Sequence, residues 1–180
     1  VNWQEGHFLD TNENPVETPY DWGLSAMFYD FNGDLAPDLY VCNDFQSPDR
    51  IWINLGDGRF KAVDDNRIRQ TSLFSMGLDF SDINRDGLSD LFVVDMLSRS
   101  HLRRMVQVMD GMAFAQYRDT LLARPQSPRN TLFIQRNNQT FSETARYSGV
   151  EASDWSWCPV FLDVDLDGYE DLLITTGHWR

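Results

Sequence analysis

In one stretch the chain reads Asp30-Phe31-Asn32-Gly33-Asp34-Leu35-Ala36-Pro37-Asp38-Leu39, and this ten-residue string decides the fold because it occurs three times. The other two copies read Asp82-Ile-Asn84-Arg-Asp86-Gly-Leu-Ser-Asp90-Leu91 and Asp163-Val-Asp165-Leu-Asp167-Gly-Tyr-Glu-Asp171-Leu172. Carboxylate or amide side chains stand at positions 1, 3, 5 and 9 of every copy, and position 10 is always leucine. We refer to the three copies as loop one, loop two and loop three. They form an internal repeat, which is the strongest guide to the architecture.

The spacing of the loops defines the repeating unit. Successive copies begin 52 and 81 residues apart. A second landmark keeps the same spacing, because Phe8, Phe60 and Phe141 each precede the next loop by 22 residues. The unit is therefore about 52 residues long, and the second unit carries 29 extra residues between Asp95 and Asn130.

Within one unit the sequence predicts four short strands. Apolar runs rich in aromatic and β-branched residues flank each loop, as strands require. These runs are Ala26–Tyr29 and Leu39–Cys42, Leu78–Phe80 and Leu91–Val94, and Val160–Leu162 and Leu172–Ile174. A second hairpin follows in the first unit, where Asp57-Gly58 supplies a tight turn. Four-stranded units at a period near 50 residues are typical of β-propeller blades.

The predicted fold class is all-β, a segment of a β-propeller with four-stranded blades and one helical insertion. We expect residues 1–11 to supply the last strand of one blade and residues 12–62 to form the next. Residues 63–145 form a further blade, with the helical insertion at 96–129, and residues 146–180 begin another. Because a propeller needs at least about four blades, we expect the chain to be a segment of a longer protein.

Composition restricts the possible functions. The chain has 180 residues, with 15 Lys and Arg against 28 Asp and Glu, and a formal charge of −13. This balance argues against binding to nucleic-acid phosphates, and no apolar run reaches the roughly 20 residues of a membrane span. Cys42 and Cys158 are too few for a disulfide framework and are expected to be buried thiols, with a bond between them left open.

The spacing of oxygen-bearing side chains in the loops indicates a hard cation. Ca²⁺ takes six to eight oxygen ligands at about 2.3–2.6 Å, and alternate side chains of a curled loop can converge on one ion. Mg²⁺ fits less well because it requires a small octahedral cage. An EF-hand is excluded, since position 12 is Val41, Val93 or Ile174 instead of glutamate. The alternative is that Asp, Asn and Gly serve only as turn formers.

We therefore predict up to three Ca²⁺ sites, one in each loop. The side-chain ligands are predicted to be Asp30, Asn32, Asp34 and Asp38 in loop one, Asp82, Asn84, Asp86 and Asp90 in loop two, and Asp163, Asp165, Asp167 and Asp171 in loop three. By analogy with calcium loops generally, the backbone carbonyls at position 7 complete the sets, from Ala36, Leu88 and Tyr169. Loop one has Leu35 where Gly87 and Gly168 permit a sharp turn, so we expect its geometry to differ.

The loops resemble the FG-GAP/VCBS calcium-binding repeat, the blade also found in integrin α-subunit propellers. A closer resemblance is to secreted bacterial proteins in which VCBS repeats precede an ASPIC/UnbV module, the relatives of cartilage acidic protein. It covers nearly the whole chain and includes Arg129-Asn130-Thr-Leu and Asp154-Trp-Ser-Trp-Cys-Pro. The resemblance implies a seven- or eight-bladed propeller, structural Ca²⁺ in the blade loops, and an exported protein that is extracellular, periplasmic or at the cell surface.

The insertion at 96–129 suggests where a partner could bind. It is rich in arginine and methionine, and apolar residues at helical spacing predict an amphipathic helix. Those apolar residues are Leu102, Met105, Val106, Met109, Met112 and Ala113. The insertion caps the propeller face, with its arginines paired to nearby acids, or it docks another domain, subunit or acidic glycan.

The function indicated by the sequence is structural or recognition, through binding of a protein or glycan and through contacts with the remaining blades of the same or another chain. No catalytic or organic-cofactor residues are predicted. The alternative is an enzyme of the polysaccharide lyase type, because some calcium-containing propellers built from such repeats are lyases and the arginines could neutralise a uronate.

Overall fold

The computed structural model describes residues 7–17, 20–45, 47–64, 66–107 and 124–177. These residues are almost entirely β-structure with one short helix, as the sequence predicts. In chain order the elements are β1 (Phe8–Leu9), β2 (Gly23–Tyr29), β3 (Asp38–Asn43), β4 (Arg50–Asn54), β5 (Phe60–Ala62), β6 (Thr71–Ser72), β7 (Gly77–Ser81), β8 (Asp90–Val94), α1 (His101–Gln107), β9 (Gln126–Ser127), β10 (Thr131–Gln135), β11 (Phe141–Glu143), β12 (Ser156–Leu162) and β13 (Asp171–Thr176).

The strands form the four-stranded antiparallel units that the repeat predicts. Strands β2 to β5 make the first blade in simple meander order, and β7, β8, β10 and β11 make the second. The hairpin β12–β13 repeats the first half of a blade. Among the described residues no sheet closes into a ring, and they do not fix the number of blades.

Strand β1 lies at the outer edge of the first blade. Residues 1–11 were predicted to supply the last strand of one blade, and β1 pairs in parallel with β5. Phe8 lies opposite Phe60, its counterpart one repeat later. The ring of Phe8 also makes an edge contact with Trp52 at a centroid distance of 4.9 Å. This aromatic contact explains why the strand lies against the first blade.

The blades pack face to face, and their first strands β2, β7 and β12 lie side by side. One buried cluster fills the space between the first two blades, and a second fills the space between the second blade and the β12–β13 hairpin. Every residue of β8 is buried. Leu91 and Val93 belong to the first cluster, whereas Phe92 and Val94 belong to the second. This explains the unbroken apolar run of β8, because both faces of its sheet are covered.

The two ends of this array are open. Phe92 is completely buried in the second blade, but Leu173, which occupies the same repeat position, is 55% exposed. At the other end, Trp22, Leu24 and Phe28 are also exposed. Adjacent large apolar side chains of this kind mark surfaces that normally meet a partner.

Helix α1 confirms a helix at the start of the insertion. The part of the predicted amphipathic face formed by Met109, Met112 and Ala113 lies outside the described residues. No helix in the described part of the chain is long and apolar enough to cross a membrane.

The prediction that both cysteines are buried was wrong for one of them. Cys42 is a buried free thiol in the core between the first two blades. Cys158 is free but exposed, because β12 belongs to the open end of the array. The two sulfurs do not form a disulfide.

Gly77 sets the closest approach between the second blade and the β12–β13 hairpin. A Cβ atom at this position would lie only 2.5 Å from the backbone oxygen of Trp157 and 3.3 Å from Pro159 Cδ. The nearer atom belongs to the backbone, so it cannot rotate away as a flexible side chain would. Glycine is required here because of the contact, and its backbone angle is not left-handed.

We predict that Gly77→Ala lowers the free energy of unfolding by about 1–3 kcal/mol, because overpacking must separate the two blades. Gly23→Ala is the matched control, since a Cβ there would meet its nearest atoms at ordinary distances of 3.5 and 3.6 Å. Urea unfolding of both variants measures the difference. Equal losses of stability in the two variants would show that the contact at Gly77 is not restrictive.

Candidate functional site

The three acidic loops occupy equivalent places in the fold. Each joins the first and second strands of its blade: loop one connects β2 to β3, loop two connects β7 to β8, and loop three connects β12 to β13. The loops therefore all lie at the same end of their blades.

The first aspartate organises the backbone of each loop. In loop two, Asp82 accepts hydrogen bonds from the amides of Asp86 at 3.0 Å and Gly87 at 2.8 Å. Asp30 and Asp163 accept the corresponding bonds in the other loops. These bonds turn the position-1 carboxylate inward in all three copies, as a ligand of a loop-bound ion requires.

Positions 3 and 5 repeat this inward arrangement. In loop two, Asn84 Oδ1 accepts from the Asp86 amide at 2.9 Å, and Asp86 Oδ1 accepts from the Leu88 amide at 2.9 Å. The same pairs of positions bond at 3.0 and 2.8 Å in loop one and at 3.2 and 2.7 Å in loop three. The position-7 residues Ala36, Leu88 and Tyr169 thus lie at the closing end of each loop. Their carbonyls remain predicted ligands.

The expectation that loop one has a different geometry was wrong. Every loop has left-handed residues at positions 4 and 6. These pairs are Gly33 and Leu35, Arg85 and Gly87, and Leu166 and Gly168, with φ between 60° and 86°. Loop one carries its glycine at position 4 instead of position 6, so each loop has one relaxed and one strained position. Leu35 tolerates the strain while its side chain remains 92% exposed.

Loop three brings its carboxylates closest together. Oxygens of Asp163, Asp165 and Asp171 all lie within 4.8 Å of one another, a spacing that suits a shared metal ion. Loops one and two have asparagine at position 3, so each has one carboxylate fewer than loop three. The structure thus assembles at least three of the four predicted acidic side chains of loop three around one point.

The position-9 aspartates connect the loops to the rest of the blade. Asp38 and Asp90 are completely buried at the start of the second strand. Asp38 Oδ1 accepts from the amide of Asn54 in the third strand, and Asp90 Oδ1 accepts from Gln135 in the same way. Burial, reinforced by the nearby loop carboxylates, raises the pKa of each group to about 6. Asp171 is exposed and accepts from the Val164 amide at 3.0 Å.

The second oxygen of Asp38 accepts a hydrogen bond from the Phe31 amide at 3.0 Å. Ile83 is the equivalent residue of loop two, and a hydrogen bond from its amide opposes the rise in the pKa of Asp90 that burial causes.

Two further buried carboxylates were not identified from the sequence. Asp49 accepts hydrogen bonds from the Tyr40 hydroxyl at 2.6 Å, the Asn43 amide at 2.9 Å and the Ser75 hydroxyl at 2.9 Å. Ser75 precedes the second blade, so this carboxylate links two blades. Burial raises the pKa of Asp49 to about 7.

The second blade has an equivalent pair in which the two residue types are exchanged. Asp95 stands at the repeat position of Asn43, and Asn130 stands at that of Asp49. The Asn43 amide donates to Asp49 in the first blade, whereas the Asp95 amide donates to Asn130 Oδ1 at 2.7 Å in the second. The Asp95 carboxylate accepts from Ser72 and from the Phe74 amide, and burial raises its pKa to about 6. A sequence signal for this pair was the recurrence of Gln46-Ser-Pro, directly before Asp49, as Gln126-Ser-Pro, which Arg129 separates from Asn130.

The described arginines of the insertion contact the protein itself. Arg124 is buried and donates to the carbonyls of Ile68 at 2.8 Å and Val63 at 2.6 Å. Arg103 lies 3.8 Å from Asp154, and Arg104 lies 3.9 Å from Glu151. Arg118 lies outside the described residues. These contacts involve the two described ends of the insertion, and residues 108–123 lie outside the described residues.

Comparison with known families identifies the chain as a repeat protein. The model of the FG-GAP-like repeat matches residues 30–93 and 116–174, about two thirds of the chain. The matched stretches include all three loops and most of the strands that flank them. No curated protein shows significant similarity to the chain.

We predict that the stability of the chain falls as the pH rises from about 4 to 7. The pKa of Asp49 is about 7 in the folded protein and near 3.8 when unfolded, so the folded state retains a proton that the unfolded chain releases. The contribution of Asp49 to the free energy of unfolding is complete below its pKa in the unfolded chain. It is lost as the pH rises through its pKa in the folded protein. Asp49→Asn should make this part of the profile flatter.

Urea unfolding in EDTA between pH 4.5 and 7.5 measures this effect. Asp57→Asn is the control, because the hydrogen bond from Arg59 lowers the pKa of that exposed carboxyl. Any effect of Asp57 on the pH dependence of stability therefore falls below pH 4. Parallel stability profiles for the natural chain and Asp49→Asn would contradict the prediction.

Proposed function

Because the chain belongs to the family of FG-GAP-like repeats, which typically form β-propellers, we propose that it is a calcium-binding propeller region of an exported protein. The ions are structural, and the propeller serves to recognise a protein or glycan. The observation that carries the calcium assignment is the shared hydrogen-bond framework of the three loops, which turns the side chains at positions 1, 3 and 5 inward. The closeness of the Asp163, Asp165 and Asp171 oxygens, all within 4.8 Å of one another, supports it independently.

The donor set suits Ca²⁺. All proposed ligands are oxygens, from carboxylates, amides and the position-7 carbonyls, and the loops are open enough for water to complete the six to eight ligands that Ca²⁺ takes. An ion bound by ligands from positions 1 to 9 of a loop would fix the adjoining ends of the first two strands of the blade. The ion would therefore stabilise the hairpin, and its binding free energy would add to the stability of the fold.

The charge of each loop sets an order of affinity. Loop three offers four carboxylates, whereas loops one and two offer three carboxylates and one asparagine. Since ligand charge tunes the affinity of calcium loops, loop three should bind most tightly. Asp165 accounts for the difference, because position 3 is Asn32 in loop one and Asn84 in loop two.

We predict that Ca²⁺ raises the melting temperature of the chain and that excess EGTA reverses the increase. Asp165→Asn gives loop three the same four side-chain ligand types as loop two. It should weaken Ca²⁺ binding at loop three on the order of tenfold. Calorimetric Ca²⁺ titration measures the affinities. Asp57→Asn, an equal loss of charge in an exposed hairpin turn, should leave them unchanged. A melting temperature that does not respond to Ca²⁺ or EGTA would contradict the structural role of the ion.

The open faces support contacts with further blades of the same or another chain. Leu39 and Val41 line the outer face of the first blade and correspond to Leu91 and Val93. Those two counterparts are buried between the first and second blades. We propose that the outer faces are covered by blades of the same kind, in a ring of seven or eight.

The finer family assignment is also a proposal. The loop motifs and the residues around Asp154 resemble the VCBS type of repeat and the proteins that carry an ASPIC/UnbV module. This resemblance supports export to the periplasm, the cell surface or the medium. The lyase alternative receives less support, since Arg103, Arg104 and Arg124 are all engaged by groups of the chain itself.

A further inference from the structure

Loops two and three meet at a contact between the side chains of Arg85 and Tyr169. The guanidinium carbon of Arg85 lies 3.8 Å from the centroid of the Tyr169 ring, a cation–π contact. The neighbouring glycine allows the approach, because a Cβ atom at Gly168 would lie 3.3 Å from Arg85 Nη2. The arginine therefore lies over the closing end of the next loop.

Both residues of the pair are built into the hydrogen-bonded frameworks of their loops. Arg85 stands at position 4 of loop two with φ of 60°, directly before the Asp86 amide that bonds to Asp82. Tyr169 stands at position 7 of loop three, and its amide donates to Asp167 at 2.7 Å. The geometry of the contact thus depends on the conformation of both loops.

The pair has no equivalent between loops one and two. Position 4 is glycine in loop one and leucine in loop three, and position 7 is alanine in loop one and leucine in loop two. The first blade approaches loop two differently, through a hydrogen bond between the hydroxyls of Ser89 and of Tyr29, the last residue of β2. Tyr169 is 59% exposed, so the ring is not placed over Arg85 by burial in a core.

We propose that Arg85 and Tyr169 couple the cation sites of loops two and three, so that an ion in one loop raises the affinity of the other. This inference rests on the proposed calcium function. The contact forms best when both loops are closed, and an ion that orders one loop lowers the entropic cost of ordering its neighbour. By linkage the effect must be reciprocal.

Without coupling, electrostatic repulsion alone predicts the opposite change in Ca²⁺ affinity when Arg85 is replaced. The guanidinium repels a divalent cation, so removing Arg85 without any coupling would strengthen Ca²⁺ binding at both loops. Replacing Tyr169 breaks the contact without changing the charge. Leucine is the suitable replacement, because Leu88 occupies the same position in loop two.

The test is a Ca²⁺ titration of the full chain followed by NMR at the Gly87 and Gly168 amides, which report loops two and three. Tyr169→Leu should weaken binding read at Gly87 by about two- to fivefold, the range of an exposed cation–π contact. Arg85→Gly, which introduces the residue of loop one, should weaken binding read at Gly168 by a similar factor. At each amide the double variant should be no weaker than the corresponding single variant.

Tyr147→Leu is the matched control, since Tyr147 is 95% exposed and lies outside all three loops, and it should leave the Gly87 titration unchanged. Arg85→Gln repeats the test while keeping a side chain at position 85. Unchanged affinity at Gly87 in Tyr169→Leu, or tighter binding at Gly168 in Arg85→Gly, overturns the coupling but leaves the calcium function standing. If neither glycine amide of the natural chain responds to Ca²⁺, both proposals are overturned.

Discussion

Each complete blade depends on one buried aspartate at the start of its second strand. Asp38 and Asp90 accept a backbone hydrogen bond from the third strand and stand at the ninth position of an acidic loop. The same carboxylate therefore links the second strand to the third and faces the loop's other negative charges. Burial of this charge is costly, and the cost is offset only by hydrogen bonds, a proton or a cation. The fold and the proposed ion site thus share one group.

The second constraint is that a blade cannot cover its own faces. Strand β8 shows the solution, because Leu91 and Phe92 on opposite faces are buried against different neighbours. Contacts between blades are partly polar, through Asp49 and Ser75, and in one place very close, at Gly77. Stability therefore accumulates from neighbour to neighbour, as in other repeat proteins. The acidic loops lie at one end of this array, where adjacent loops come within reach of each other.

Much of this arrangement could be predicted from the repeat. The four-stranded units, the placement of the loops between first and second strands, and the inward side chains of loop two all follow from sequence periodicity. The close approach at Gly77 and the Arg85–Tyr169 contact could not be predicted, because they depend on how far apart two blades lie. The geometry of loop one was misjudged because one glycine at either left-handed position suffices. The exchanged pair Asn43–Asp49 and Asp95–Asn130 was missed because its members differ between repeats.

The central claim is that the acidic loops close around a calcium ion. A crystal structure of the chain grown with millimolar Ca²⁺ tests it most directly. The account predicts a strong density peak in loop three, at about 2.3–2.6 Å from oxygens of Asp163, Asp165 and Asp171 and from the Tyr169 carbonyl. If loop three keeps its hydrogen bonds and only water occupies the position between these oxygens, the claim is contradicted.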